Sequence, residues 1–457
     1  MHRPNILYIH SHDTGRYVQP YGYALRTPRI QRLAEEGVLF RQAFCVNPTC
    51  SPSRASLLTG CYPHQNGMIG LTHRGSRLRD PRQHLAHVLK AAGYATVLCG
   101  VQHEASDPSE LGYEEVHADR SGPAIAQHAV ELIRRPHDRP FFLAVGFFET
   151  HRTKDYERGV RWHNDQPVQG DPRYVRPPAP LPDTPQTRQD FADYAVAAER
   201  LDRQMGAVFD ALDQAGLAEN TLVICTTDHG IAFPGMKCNL TDHGLGVMLI
   251  LRGPGGFIGG KVVDAMVSHM DLFPTICELI DLDKPAWLEG KSLLPLIRGE
   301  VDRLHETLFA SVNYHAAYEP MRAVRTDRYK YIRRFEPRSG PVLANADHCV
   351  SKEMWIEHGW AQRAPAVEQL YDLIFDPNEA NNLVTSDRSP QVLQMLEDMR
   401  QRLAQWMRDT NDPLQSGYVE PYPGMIITDT DADRPEGSKL LPGWRPQAQA
   451  QYQSSQD

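Results

Sequence analysis

The first two-thirds of the chain alternates short, wholly apolar runs with segments whose apolar residues recur every three or four positions. The runs suit strands buried on both faces, and the periodic segments suit helices that cover them. Residues 5–10 predict a first buried strand. Thr27 and Pro28 predict a helix start, with Thr27 as N-cap; Leu33 and Ala34 mark its apolar face and Gly37 its end. Residues 39–43 read as one short strand, 95–99 and 140–147 as two more, 221–227 as the clearest strand and 247–251 as another. Helical spacing runs through Leu85, Val88, Leu89 and Ala92, through 125–133, through 187–215, and through 268–280 with Pro274 as a local irregularity. This alternation predicts an α/β fold, a sheet with helices packed on it.

After about residue 304 the texture changes. Residues 322–333 read as a hairpin with an Asp-Arg turn, and 392–406 as a helix. The chain divides on this reading into a large α/β unit over 1–304, a smaller C-terminal α+β subdomain over 305–435, and a tail over 436–457. The tail is rich in Gly, Pro, Gln and Ser; alone it is expected to be disordered and to order against a partner subunit, so a homo-oligomer is expected. Residues 152–186, rich in Pro, Arg and Asp, read as a long surface loop of the kind that carries function.

Composition narrows the class. Of 457 residues 41% are apolar and 23% charged, which excludes wholesale disorder. A net charge of −9 without a long basic block makes nucleic acid an unexpected partner. No apolar run approaches the roughly 18 residues that cross a bilayer, so no membrane partner is expected. Met1 leads almost directly into the first strand without the pattern of a secretory leader, so a cytoplasmic location is expected. The eight cysteines lack metal-type pairing, and most are expected to be small buried hydrophobes.

One cysteine stands apart. The stretch Asn47-Pro-Thr-Cys50-Ser-Pro52-Ser-Arg54-Ala-Ser-Leu-Leu-Thr-Gly60 puts a proline in a helix's first turn and Cys50 just ahead of it. Unpaired N–H groups and the helix dipole favour negative charge there, and Arg54 adds a fixed positive charge one turn on. By residue type, Cys50 reads either as a structural cysteine or as an activated thiolate nucleophile. Two acidic pairs also end predicted strands, where α/β sheets gather ligands: Ser11-His12-Asp13 after 5–10, and Thr227-Asp228-His229-Gly230 after 221–227. Together they make a candidate centre for one divalent metal ion.

Cys50-x-Pro52-Ser-Arg54 followed by Ala-Ser-Leu-Leu-Thr-Gly resembles the signature of the type I sulfatases of the alkaline phosphatase superfamily. Pro63-His-Gln-Asn-Gly-Met68, Pro140-Phe-Phe-Leu143, Phe233-Pro, Leu370-Tyr-Asp-Leu373 and Asp376-Pro-Asn-Glu379 extend the similarity over nearly the whole chain, closest to the N-sulfoglucosamine sulfohydrolase branch. The resemblance implies a large mixed central sheet with helices on both faces. It implies that a formylglycine-generating enzyme oxidises Cys50 to Cα-formylglycine, and that one calcium binds among Asp13, Cys50, Asp228, His229 and His12. His12 stands where the family usually has Asp, and His229 where it usually has Asn. Imidazole suits manganese better than calcium, and the Asp-His pair resembles the related phosphonate monoester hydrolases. The ion is therefore read as calcium or manganese.

By the same resemblance His103 and His151 transfer protons, and Lys237 binds sulfate together with Arg54. Val101 stands where the family has Lys. The implied activity is hydrolysis of a sulfate ester or N-sulfonate on a small anionic aryl or sugar substrate. Hydrated formylglycine attacks sulfur, His151 protonates the leaving atom, and His103 takes a proton from the second hydroxyl as free sulfate departs. Phosphonate monoester or phosphodiester hydrolysis at the same site is the alternative.

Overall fold

The computed structural model describes residues 3–152 and 168–434, with the backbone of the short strand Ser438–Lys439. Its central sheet is built from β1 (Asn5–Ser11), β2 (Val38–Phe40), β3 (Ala95–Gly100), β4 (Glu115–His117), β5 (Phe141–Gly146), β6 (Thr221–Thr227), β7 (Leu249–Arg252) and β8 (Lys261–Val263). The strand order is β4-β3-β5-β1-β6-β7-β2-β8. Only β7 runs against its neighbours; the other pairs are parallel.

The strands are apolar on both sides. Ile6 and Tyr8 face one core layer with Leu57, Leu89 and Phe273, while Leu7 and Ile9 face another with Leu33, Ile125, Leu201 and Phe209. Burying both faces requires helices on both sides. They include α1 (Pro28–Glu36), α2 (Cys50–Thr59), α3 (Leu85–Ala91), α4 (Gly122–Arg134) and α5 (Pro185–Gln214). Helices α2 and α3 cover the first layer, and α1, α4 and α5 the second.

Two local expectations change. Residues 39–43 are not one strand: the chain turns at Arg41 and Gln42, and Ala43–Phe44 pairs instead with Val267–Ser268. Arg41 is exposed and ion-paired to Asp264, a position that a doubly buried strand does not offer. Thr27 holds the N-cap position of α1, but its side chain does not cap. Its Oγ1 accepts from Gln19 N at 2.8 Å, and the buried carboxylate of Asp202 on α5 accepts from Arg29 N and Ile30 N at 3.0 and 2.8 Å. A carboxylate holds orphan helix N–H groups more strongly than a hydroxyl, and this one also ties α1 to α5.

A second, antiparallel sheet follows, built from β9 (Leu308–Tyr314), β10 (Tyr318–Arg325), β11 (Tyr329–Arg334) and β12 (Glu368–Asp372). Ala310, Val312, Met321, Ala323 and Ile332 on one face continue the core of the first unit. Val324, Tyr331 and Leu370 on the other face pack with Leu396, Met399 and Leu403 of α6 (Pro390–Asp409). The β10–β11 turn spans 326–328, on the expected Asp-Arg pair. Of the expected loop over 152–186, residues 153–167 lie outside the described residues. So does the tail over 436–457, apart from the backbone of Ser438–Lys439, which pairs with Ile426–Ile427. Among the described residues no helix is long and apolar enough to cross a membrane.

Candidate active site

Parallel strands deliver their following residues to one rim of the sheet. There β1 leads into His12 and Asp13, β3 into His103, β5 into His151, and β6 into Asp228 and His229. Cys50 is the first residue of α2, so the helix's unpaired N–H groups begin at the same place. Ligand atoms of Asp13, Cys50, Asp228 and His229 lie within 4.8 Å of one another, and all four residues are buried.

His229 Nδ1 lies 2.9 Å from the Gly230 carbonyl oxygen, which assigns a proton to Nδ1 and makes Nε2 the atom that can bind a cation. Nε2 faces Asp13 Oδ1 at 3.3 Å, Cys50 Sγ at 3.4 Å and Asp228 Oδ2 at 3.6 Å. Asp228 is held from four directions. Its Oδ1 accepts from Asp13 N at 2.8 Å and His229 N at 2.9 Å, and its Oδ2 faces Arg54 Nη2 at 3.0 Å and His12 Nδ1 at 3.1 Å. His12 joins a second ligand-like grouping with Asp13, Cys50 and His151, outside the grouping of Asp228 and His229.

Arg54 does not face the cavity. Besides Asp228, its guanidinium donates to the Ser11 carbonyl at 2.8 Å and to His10 Nδ1 at 2.6 Å. Burial and the Arg54 charge push His10 well below its ordinary value, so the ring stays neutral and accepts. Arg54 thus braces Asp228 and the end of β1. Lys237 does face the cavity, with Nζ 2.9 Å from Asp13 Oδ2 and 3.0 Å from Asp347 Oδ2. His151 faces it too: Nδ1 lies 2.5 Å from the Arg152 carbonyl oxygen, and Nε2 3.9 Å from Asp13 Oδ2. His103 Nε2 lies 2.9 Å from His73 Nδ1, and its Nδ1 is buried without a hydrogen-bond partner.

The electrostatics separate Cys50 from the other seven cysteines. Burial pushes Cys277 up to about 11, Cys45, Cys61, Cys99 and Cys349 to about 12, and Cys225 and Cys238 higher still. Burial acts on Cys50 in the same sense, but Lys237 and His12 overcome it and hold the thiol well below its ordinary value. Burial would also raise Asp13 and Asp228; Lys237 keeps the first low, and Arg54 the second. Burial would lower His229, yet Asp228 and Asp13 push it up to about 9, and His12 is likewise held high against burial by Asp228. Asp13, Asp228 and Asp347 outnumber Arg54 and Lys237, so the centre lacks positive charge. Without a metal, protons on the two imidazoles fill that deficit. The donor set of two carboxylates, one pre-oriented imidazole nitrogen and Cys50 fits a divalent cation in their place.

The cavity above this centre measures about 590 Å³, within the range of ligand clefts. His73, Arg120, His315 and Asp347 share its wall with Cys50 and Val101. Sequence reasoning missed His10, read as the last residue of a strand, and His315 and Asp347, which lie far down the chain without a motif. The hairpin read over 322–333 contains neither of the last two, so the sequence carried no signal for them.

The chain matches the Sulfatase family over residues 4–282 and the family described as N-sulphoglucosamine sulphohydrolase, C-terminal, over 237–341. It is 32% identical over 442 residues to the N-sulphoglucosamine sulphohydrolase of Homo sapiens, covering 85% of this chain and 87% of that one. Among solved structures, a 2-O GAG sulfatase aligns with a TM-score of 0.69 at 23% identity, over 92% of this chain and 95% of that one. The phosphonate monoester hydrolase of Agrobacterium radiobacter aligns with a TM-score of 0.66 at 21% identity, over 92% and 100%. These two structures share the fold of the chain: the mixed sheet covered on both sides, with a small antiparallel sheet after it. The family match covers more than half of the sequence, and the human relative nearly all of it. The chain therefore belongs to the sulfatase family of the alkaline phosphatase superfamily and is a sulfuric ester hydrolase.

Proposed function

We propose that this enzyme releases sulfate from a sulfated sugar, using formylglycine made from Cys50 and one divalent ion held by Asp13, Asp228, His229 and residue 50. One observation carries the reading: Cys50 opens a helix, and its sulfur lies within 4.8 Å of ligand atoms of Asp13, Asp228 and His229, all buried. The sugar follows from the relatives, whose names include an N-sulphoglucosamine sulphohydrolase and a 2-O GAG sulfatase. When bound, the ion would supply Lewis-acid stabilisation of charge on the nucleophile and the sulfate oxygens, and hydrated formylglycine the attacking hydroxyl.

The remaining work falls to side chains around the cavity. Lys237, fixed between Asp13 and Asp347, presents its ammonium to the sulfate oxygens. His151 donates a proton from Nε2 to the leaving oxygen or nitrogen; its Nδ1 contact with the Arg152 carbonyl orients the ring for this. His103, kept neutral chiefly by burial, has a free Nδ1 to accept a proton from the second hydroxyl. The nitrogen ligand at His229 favours manganese over calcium.

A second reading is phosphonate monoester or phosphodiester hydrolysis. The Asp228-His229 pair and the apolar Val101 favour it. A panel of aryl sulfate, N-sulfoglucosamine and phenyl phosphonate, run with the bound metal identified, separates the two. Sulfate release above phosphonate turnover is expected, and the reverse order overturns the proposal.

A further inference from the structure

The β9–β10 hairpin carries a register shift between Val312 and Tyr314. Ala310 and Val312 face the core shared with the first unit, and strict alternation would turn Tyr314 the same way. Instead Tyr314 lies in the other core, its hydroxyl donating to the Val419 carbonyl at 2.6 Å. A bulge of this kind re-aims whatever follows it, and His315 follows.

The hairpin tip is also pinned. Asn345 Oδ1 accepts from Ala316 N at 3.0 Å and Ala317 N at 2.8 Å. The Ala316 carbonyl accepts from Arg74 Nη2 at 3.1 Å and Thr428 N at 2.9 Å. Hairpin tips usually meet solvent, but Ala316 and Ala317 are only 3% and 0% exposed. Two residues beyond Asn345, Asp347 pairs with Lys237, so one short segment positions both Lys237 and the tip. His315 lines the cavity with Cys50 and Lys237, and its ring stands beside the Cys50 sulfur. Its Nδ1 is shut off from solvent and has no nitrogen or oxygen partner. A buried polar atom of this kind calls for a partner, and oxygens at the Cys50 position would supply one.

We infer that His315 is a further catalytic residue, which donates a hydrogen bond to an oxygen of the transferring group at residue 50, where Val101 offers neither charge nor donor. It keeps its proton throughout and contributes as a fixed donor aimed at developing charge. This rests on residue 50 being the nucleophile, but not on whether the group is sulfuryl or phosphoryl.

The test compares wild type, His315→Ala and His315→Gln as full-length, metal-loaded enzymes. His315→Ala is expected to lower kcat on an aryl sulfate by about 10²-fold. KM should change by less than about threefold, with melting temperature and formylglycine content at residue 50 unchanged. His315→Gln should recover about tenfold of the loss. Vanadate mimics the five-coordinate geometry of in-line transfer; its affinity by calorimetry should fall about tenfold in His315→Ala, and inorganic sulfate affinity much less. Wild-type kcat and vanadate affinity in His315→Ala would overturn the inference. Should that variant fail to fold, His315→Phe against His315→Gln replaces it with the same expected split. If the wild type hydrolyses no sulfate ester the proposed function fails, yet the vanadate comparison still decides the role of His315.

Discussion

Among the described residues, two buried charge clusters are built on opposite terms. One joins the two sheets. There Asp242 meets Arg325 at 3.0 Å and Lys330, Lys330 meets Glu379 at 3.0 Å, and Glu379 accepts from Asp242 N. With Arg16, which acts on Asp242 and shares the Phe44 ring with Arg325, three cations face two carboxylates, and neither carboxylate lines the active-site cavity. The other cluster, around Cys50, sets three carboxylates against Arg54 and Lys237, holds two histidines above their ordinary pKa, and opens on the cavity. A cluster in which cations match or exceed the carboxylates holds two surfaces together, whereas an excess of carboxylates suits a cation. The excess of carboxylates, rather than burial or charge alone, marks the cluster at the cavity.

The contrast breaks most sharply at the nucleophile. Cys50→Ala should abolish turnover by at least about 10⁴-fold while leaving thermal stability near wild type. Mass spectrometry of the wild type should show an aldehyde, not a thiol, at residue 50. Asp228→Asn comes next: bound metal by elemental analysis should drop below one per chain, and kcat/KM by about 10²-fold or more. A chelator should do the same to the wild type, lower its Tm, and be reversed by added divalent ion.

At the seam the effects should invert. Lys330→Met leaves Asp242 and Glu379 buried with one cation fewer and should cost about 3–5 kcal/mol in urea unfolding. The folded variant should keep its kcat. The smallest effect is in pH. Burial, only partly offset by Lys330, pushes Glu379 up to about 7 from its ordinary 4.5. Between these values the folded chain holds a proton that the unfolded chain has released, so stability falls as pH rises through this window. Glu379→Gln should flatten that slope in melting curves taken across the same range.

Much of the fold was legible because it is written locally. The apolar runs ended where strands end, and the residues just past them (Asp13, His103, His151, Asp228) reached one rim, since parallel strands leave no other arrangement. The split of 39–43 was less visible: Leu39 and Ala43 share a strand-like spacing, and only the competing partner at 267–268 separates them. Thr27 looked like a cap because local sequence cannot reveal that Asp202, far down the chain, reaches the same N–H groups first.

By itself, the sequence determined the family and the rim and singled out Cys50, through one contiguous motif and a period that both act over a few residues. Only the tertiary structure decided which of the two cations lines the cavity. Arg54 and Lys237 are equal as charges in a sequence, but Asp228, Ser11 and His10 take up the first behind Cys50, while the second stays on the cavity wall. It also decided that a hairpin near residue 315 completes the wall. A bulge and a single asparagine aim that tip, and contacts between residues well separated in the chain leave no trace in local spacing.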